Sequence, residues 1–217
     1  MTDTITRLRT SNTAKCVLAL AAAAVLLAVF AQAAPGSGFF FPLVSLWCNL
    51  ALFACVLLVL RVAGVKFDLF HKAVIVGLWA AALLYFFWAL DRRSFVYIWD
   101  YFNYINKQYS AEAAFLQGPA AGFQYIFGSF AEDYTNFITL FLDFPFCLSD
   151  RTGDSFAFCQ VFSILPMLLV LLAGLTIKVG QMLRVKNRFW YFLMGFSWCI
   201  TFPFLRMSAM LGQPDWF

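Results

Sequence analysis

Five stretches of roughly 20 mostly apolar residues run through this chain, and about 20 residues is the length a helix needs to cross the hydrocarbon core of a bilayer. They cover 16–34, 39–60, 73–90 and 156–177, with a fifth that begins at Phe189 and fades near Leu205-Arg206. Lipid offers the backbone no hydrogen-bond partner, so such segments satisfy themselves as helices. The 217 residues are 63% hydrophobic and 12% charged, with a mean hydropathy of +0.81. A soluble core of this size could not bury that much apolar surface. The expected fold is all-α, a polytopic transmembrane helix bundle with about five spans and one structured extracytoplasmic loop. Residues 1–90 form three N-terminal transmembrane helices, 91–158 the loop with short or interfacial helices, and 159–217 two further transmembrane helices. Pro35-Gly36-Ser37-Gly38 separates the first two spans, and Pro166 sits inside the fourth, a kink that neighbouring groups can satisfy.

Charge placement sets the expected orientation, because basic residues collect on the cytoplasmic side. With a cytoplasmic N-terminus, Arg7, Arg9, Lys15, Arg61, Lys66, Lys72, Lys178, Arg184, Lys186 and Arg188 all fall inside, ten of the fifteen Lys and Arg residues. The segment 91–159 then lies outside, with eight acids against four bases. The expectation is a multi-pass protein of the cell membrane with its N-terminus cytoplasmic. A basic head, an apolar run and Ala31-Gln32-Ala33 also describe a cleavable signal peptide. The four spans that follow favour a retained helix, and the later topology is the same either way.

The long loop is too aromatic for a disordered linker, with Phe95, Tyr97, Trp99, Tyr101, Phe102 and Tyr104 in its first part alone. A capped helix is expected over 110–117, starting at Ser110 with Glu112 in its first turn and ending near Gly118-Pro119. The nearly apolar stretch 137–148, interrupted by Asp143 and Pro145, is too short to span and reads as interfacial or re-entrant. Cys147 and Cys159 share the loop and can pair if the compartment is oxidising; the plainer reading, two unrelated small apolar residues, is the commoner case. No Cys/His spacing suits a metal, and the single histidine, His71, has no partner in the sequence. The charge pattern lacks the dense basic patch of a nucleic-acid binder, so no nucleic-acid partner is expected.

Two constellations in the loop can carry chemistry. In Arg92-Arg93-Ser94-Phe95-Val96-Tyr97-Ile98-Trp99-Asp100-Tyr101-Phe102-Asn103-Tyr104, a helical spacing aligns Asp100 with Asn103 and Tyr104. A carboxylate backed by rings and an amide can act as a general base on an incoming hydroxyl. The plainer alternative is an interfacial aromatic belt with one solvated acid. In Glu132-Asp133-Tyr134-Thr135-Asn136, adjacent carboxylates can hold a divalent cation or set a second acid beside the first; a solvated pair is the commoner case. Arg92, Arg93 and Lys107 can bind a phosphate or contact lipid headgroups.

The order of these features resembles the N-terminal part of polytopic membrane glycosyltransferases of the GT-C type, the dolichyl-phosphate-mannose mannosyltransferase-like superfamily. The likeness covers 92–215 and rests on Trp99-Asp100-Tyr101-Phe102-Asn103-Tyr104, Glu132-Asp133-Tyr134-Thr135-Asn136, Phe144-Pro145, the span with Pro166, and Phe202-Pro203-Phe204-Leu205-Arg206 followed by Gly212-Gln213-Pro214-Asp215. It implies sugar transfer from a polyprenyl-phosphate donor on the outer face of the membrane. By resemblance Asp100 is the catalytic acid of the first large outer loop. Arg92, Arg93, Tyr101, Asn103, Tyr104, Glu132 and Asp133 are then substrate-binding, with a divalent cation left open as cofactor. The partners implied are membrane lipid and a polyprenyl-phosphate sugar. The ending just after a Pro-Asp turn reads as part of a longer chain, as the many spans of such enzymes imply. The alternative is a non-catalytic membrane subunit or transporter component of envelope polysaccharide assembly, which implies a membrane-protein partner. Spans almost free of charge argue against an ion-coupled carrier.

Overall fold

The computed structural model describes residues 2–92, 99–131 and 135–201. Its helices are α1 (Thr2–Ala33), α2 (Phe40–Val62), α3 (Leu69–Arg92), α4 (Trp99–Gln117), α5 (Pro119–Gly128), α6 (Thr139–Cys147), α7 (Gly153–Met182) and α8 (Arg188–Thr201). Two 3-10 turns, Ser129–Ala131 and Asn136–Ile138, join α5 to α6. No strand occurs among the described residues. The chain is an all-α polytopic membrane protein. Among the described residues four helices are long and apolar enough to cross a bilayer, over Ala14–Ala33, Phe40–Val62, Leu69–Trp88 and Phe158–Met182. The expected fifth span begins in α8, which has 14 residues, and its remainder lies outside the described residues.

α7 is the centre of the bundle. Over half of its spanning window is buried, against none of α1's. It packs on α2, α3, α6 and α8, whereas α1 leans on α2. Apolar side chains gain little from leaving lipid for a helix interface, so close backbone approach and polar hooks have to hold such helices together. Gly174 provides one approach, because a Cβ there would meet the Leu60 side chain at 2.4 Å. Two of the hooks are indole donors. The indole of Trp47 donates to the Leu20 carbonyl at 3.0 Å, and that of Trp79 to the Val161 carbonyl at 3.2 Å. The second acceptor lies one residue before the Phe162 carbonyl whose helical donor Pro166 removes.

The loop between α3 and α7 folds into a helical unit seated on the N-terminal half of α2. Phe40, Phe41 and Val44 of α2 form one core with Ala111, Phe115, Ile126 and Leu140. Within it the Phe41 and Phe115 rings stack with centroids 4.2 Å apart. Buried residues of α4 recur at Tyr104, Ile105, Gln108, Ala111 and Phe115, the spacing of a one-faced amphipathic helix. That face corrects the expectation of a helix starting at Ser110. The apolar stripe already runs upstream through Tyr104, and Ser110 is an exposed mid-helix residue of little cost there. The expected end holds: α4 stops at Gln117 and α5 opens on Pro119, with Gly118 at φ 144° between them.

Proline also explains how α6 docks. Pro145 cannot donate, which leaves the Phe141 carbonyl without its helical partner. The amide of Asn49 on α2 donates to that oxygen at 2.8 Å, and the Ser45 hydroxyl accepts from the Phe144 N–H at 2.9 Å. The segment expected to be re-entrant or interfacial is thus a short helix bound to the flank of a span. Cys147 and Cys159 are free thiols, and the Cys147 thiol donates to the Phe144 carbonyl at 3.0 Å.

Candidate functional site

Among the described residues, an apolar cavity and one lined by charged groups lie where the loop unit meets α2. The apolar one is a groove of about 840 Å³ between α2, α4, α6 and α7, lined by Leu52, Val56, Tyr104, Thr135, Phe141 and Met167 among others. Leu52 and Val56 belong to a membrane-crossing helix, as does Met167, so the floor of the groove lies within the spans. Its other end is made by the loop unit. Tyr104 is buried on α4, one helical turn beyond Asp100, and Thr135 follows Glu132-Asp133-Tyr134 directly. The Thr135 hydroxyl caps the following turn by accepting from the Phe137 N–H at 3.2 Å. Asn136 pins the same corner, with its amide donating to the Tyr125 carbonyl at 3.1 Å and its N–H to the Ser129 hydroxyl at 2.7 Å.

Of the residues expected to form a site, Asp100 and Tyr101 lie in the first turn of α4, with side chains outside the described set. Asn103 is half-buried and Tyr104 buried on the same helix. Arg92 is the last residue of α3, its side chain outside the described residues, and Arg93, Glu132 and Asp133 lie outside them altogether. The groove therefore has contributors from both sequence constellations, Tyr104 from the first and Thr135 from the second.

The polar cavity, about 260 Å³, was not foreseen as a site. It is lined by Ser37, Phe41, Glu112, Phe115, Asp143 and Arg151 among others. Asp143 is fully buried, and Gln108 donates to its Oδ1 at 2.6 Å. Burial, and then the charge and proximity of Glu112, push the Asp143 carboxyl up to about 8, against the weaker opposing pull of Gln108 and Arg151. At neutral pH Asp143 accordingly keeps its proton. Asp143 Oδ2 and Glu112 Oε1 are both buried without a hydrogen-bond partner, and the two side chains stand close enough for a carboxyl proton on Asp143 to be shared with Glu112. Gln108 Oε1 is likewise without a partner.

Arg151 closes this cavity. Its guanidinium meets Glu112 Oε2 at 3.2 Å, and its backbone is left-handed at φ 58°, a conformation that side-chain-bearing residues rarely adopt. Two hydrogen bonds hold it there: the Tyr109 hydroxyl donates to the Arg151 carbonyl, and the Arg151 N–H donates to the Ser149 hydroxyl. The sequence does contain a sign of this cluster. An acid within the apolar run 137–148 has to be neutralised or paired when buried, and Gln108 and Glu112 stand four apart on one helix. Among the described residues no group of three or more His, Cys, Asp or Glu side chains could hold a metal ion. No family model, curated protein or solved structure matches this chain.

Proposed function

We propose that the chain belongs to a membrane glycosyltransferase of the GT-C type that takes its sugar from a polyprenyl-phosphate donor on the outer face of the membrane. The observation that carries this reading is the apolar groove of about 840 Å³, which runs from the spans to Tyr104 and Thr135. An isoprenoid chain needs an apolar channel within the bilayer, and its phosphate-linked sugar needs polar groups at the channel's end. Tyr104 and Thr135, which line that end, belong to the two acidic segments of the sequence. In this reading Asp100 takes the proton from the acceptor hydroxyl as that oxygen attacks the anomeric carbon. The bond from that carbon to the phosphate oxygen breaks, and the polyprenyl phosphate leaves with the bonding pair. Arg92 or Arg93 holds the phosphate, and an arginine can do so through two parallel hydrogen bonds. Asn103 and Tyr104, three and four residues on from Asp100, share its helical face and position the substrate with Tyr101. Glu132 and Asp133 form the second acid site and can hold a divalent cation.

The test is sugar transfer in membranes carrying the natural protein, with a radiolabelled polyprenyl-phosphate sugar as donor. Asp100→Asn removes the base with little change in volume, and transfer is expected to fall by about 100-fold or more with the protein still present at wild-type level. Undiminished transfer by that variant overturns the assignment. Met167→Trp narrows the groove and is expected to raise KM for a long-chain donor more than for a short-chain one. An equal effect on both donors removes the groove from the donor site.

A further inference from the structure

We infer that the end of the bundle opposite the loop unit carries a binding site for the phosphate headgroup of an anionic glycerophospholipid. A cavity of about 580 Å³ opens there between the start of α3, the end of α7 and the start of α8. It adjoins the limits of the spanning helices, Val62, Leu69 and Met182, and therefore sits at headgroup depth. Its polar lining is rich in donors: Lys66, Gln181, Arg188 and Tyr191. Neither Lys66 nor Arg188 has an ion-pair partner among the described residues.

The acid in the cavity, Asp68, is already engaged. Its Oδ1 accepts from the His71 N–H at 3.0 Å and meets His71 Nδ1 at 2.6 Å. The His71 backbone bond foremost keeps that carboxyl below its usual range. The remaining walls are mostly aromatic, completed by Ile177 and Gly180. Phe70 packs on Phe189 with centroids 4.8 Å apart, and the His71 ring meets Phe192 edge-on at 4.5 Å. Cations and aromatic rings lining one cavity at this depth match a ligand with an anionic head and an apolar tail, and basic pockets between membrane helices bind such heads. The same cavity offers a free phosphate no contact for the tail that the aromatic walls would cover. Lys72, Arg184 and Lys186 lie within a few residues of the lining and strengthen the local positive field.

The experiment uses the natural protein in a neutral detergent, with phosphatidylglycerol or phosphatidylcholine added in mixed micelles and inorganic phosphate as a third probe. Thermal stability and native mass spectrometry are read together. Phosphatidylglycerol is expected to raise Tm and remain bound, phosphatidylcholine to do neither, and millimolar phosphate to leave Tm unchanged. The pair Lys66→Ser with Arg188→Ser should weaken phosphatidylglycerol binding by roughly tenfold or more, since each basic residue near an anionic surface contributes on the order of 1 kcal/mol. Both positions are exposed, so the double variant is expected to fold. Lys15→Ser, on α1 and away from the cavity, should bind like wild type. Equal retention of both lipids, a Tm shift from phosphate alone matching that from the lipid, or unchanged binding by the double variant overturns the site.

Discussion

At the scale of single residues, the buried acid Asp143 makes the sharpest demand on the surrounding structure. Burial and the neighbouring Glu112 push its folded carboxyl up from 3.8 to about 8, so between those values the folded chain holds a proton that the unfolded chain has released. Folding takes up that proton, and stability must fall as pH rises across the window. Below about 3.8 both states are protonated, and above about 8 both are ionised, so the curve flattens at each end. The groups facing Asp143 are Gln108, Glu112, Arg151, Cys147 and Cys159. Asp143→Asn keeps a neutral, hydrogen-bonding side chain of the same shape. It is therefore expected to preserve the fold at pH 6 and to flatten the decline in Tm between pH 5 and pH 8 by comparison with wild type. Asp143→Ala removes the acceptor of Gln108 and is expected to cost about 1–3 kcal/mol. A wild-type Tm that climbs steadily from pH 5 to pH 8, with Asp143→Asn showing the same climb, would refute the protonated state.

At the scale of elements, α6 illustrates what the sequence discloses and what it withholds. Its length and apolarity show that it cannot span, and Pro145 shows that one carbonyl must look elsewhere for a donor. Its partner, Asn49, is 92 residues away on a helix whose sequence reads only as lipid-facing. Local pattern carries no information about such a pairing. The same limit explains α4. The cap-like Ser110 was legible, but the stripe through Tyr104 and Gln108 gains its meaning only from packing against distant partners. Periodicity over the whole of Trp99–Gln117 would have been the better guide than a single cap residue. Asn49→Ala tests the α2–α6 hook. It leaves the Phe141 carbonyl undonated and is expected to destabilise the protein by about 1–2 kcal/mol, with faster hydrogen exchange confined to α6 and the turn before it. Asn49→Gln can restore the donor and should recover part of the loss. Exchange unchanged in α6 would show that the proline-freed carbonyl finds another donor.

At the scale of the whole molecule, four membrane-crossing helices and a packed helical unit were legible because lipid imposes helix on any long apolar segment, with no need to know what touches what. The two constellations proposed as a site were legible as residue types. The groove that Tyr104 and Thr135 line was not, since it is a gap between α2, α4, α6 and α7 rather than a property of any one. Orientation is a further property of the whole. Lys66, Lys72, Lys178, Arg184, Lys186 and Arg188 cluster around the α2–α3 and α7–α8 turns, where the Lys178 ammonium donates to the Ala63 carbonyl at 2.6 Å. The loop unit occupies the opposite end of α2, held there by the Phe40, Phe41 and Val44 core.

Basic residues resist translocation, so the cluster should face the cytoplasm and the loop unit the exterior, as sugar transfer on the outer face requires. In a background with the native cysteines replaced by serine, Ala120→Cys on α5 is expected to react with a membrane-impermeant maleimide on intact cells. Lys186→Cys should react only after permeabilisation; both positions are exposed. The reverse pattern would leave the bundle, the groove and the carboxyl pair as described, but it would put Asp100 on the cytoplasmic side and remove the outer-face reaction. Labelling thus separates the fold, which stands under either outcome, from the proposed chemistry, which requires the first.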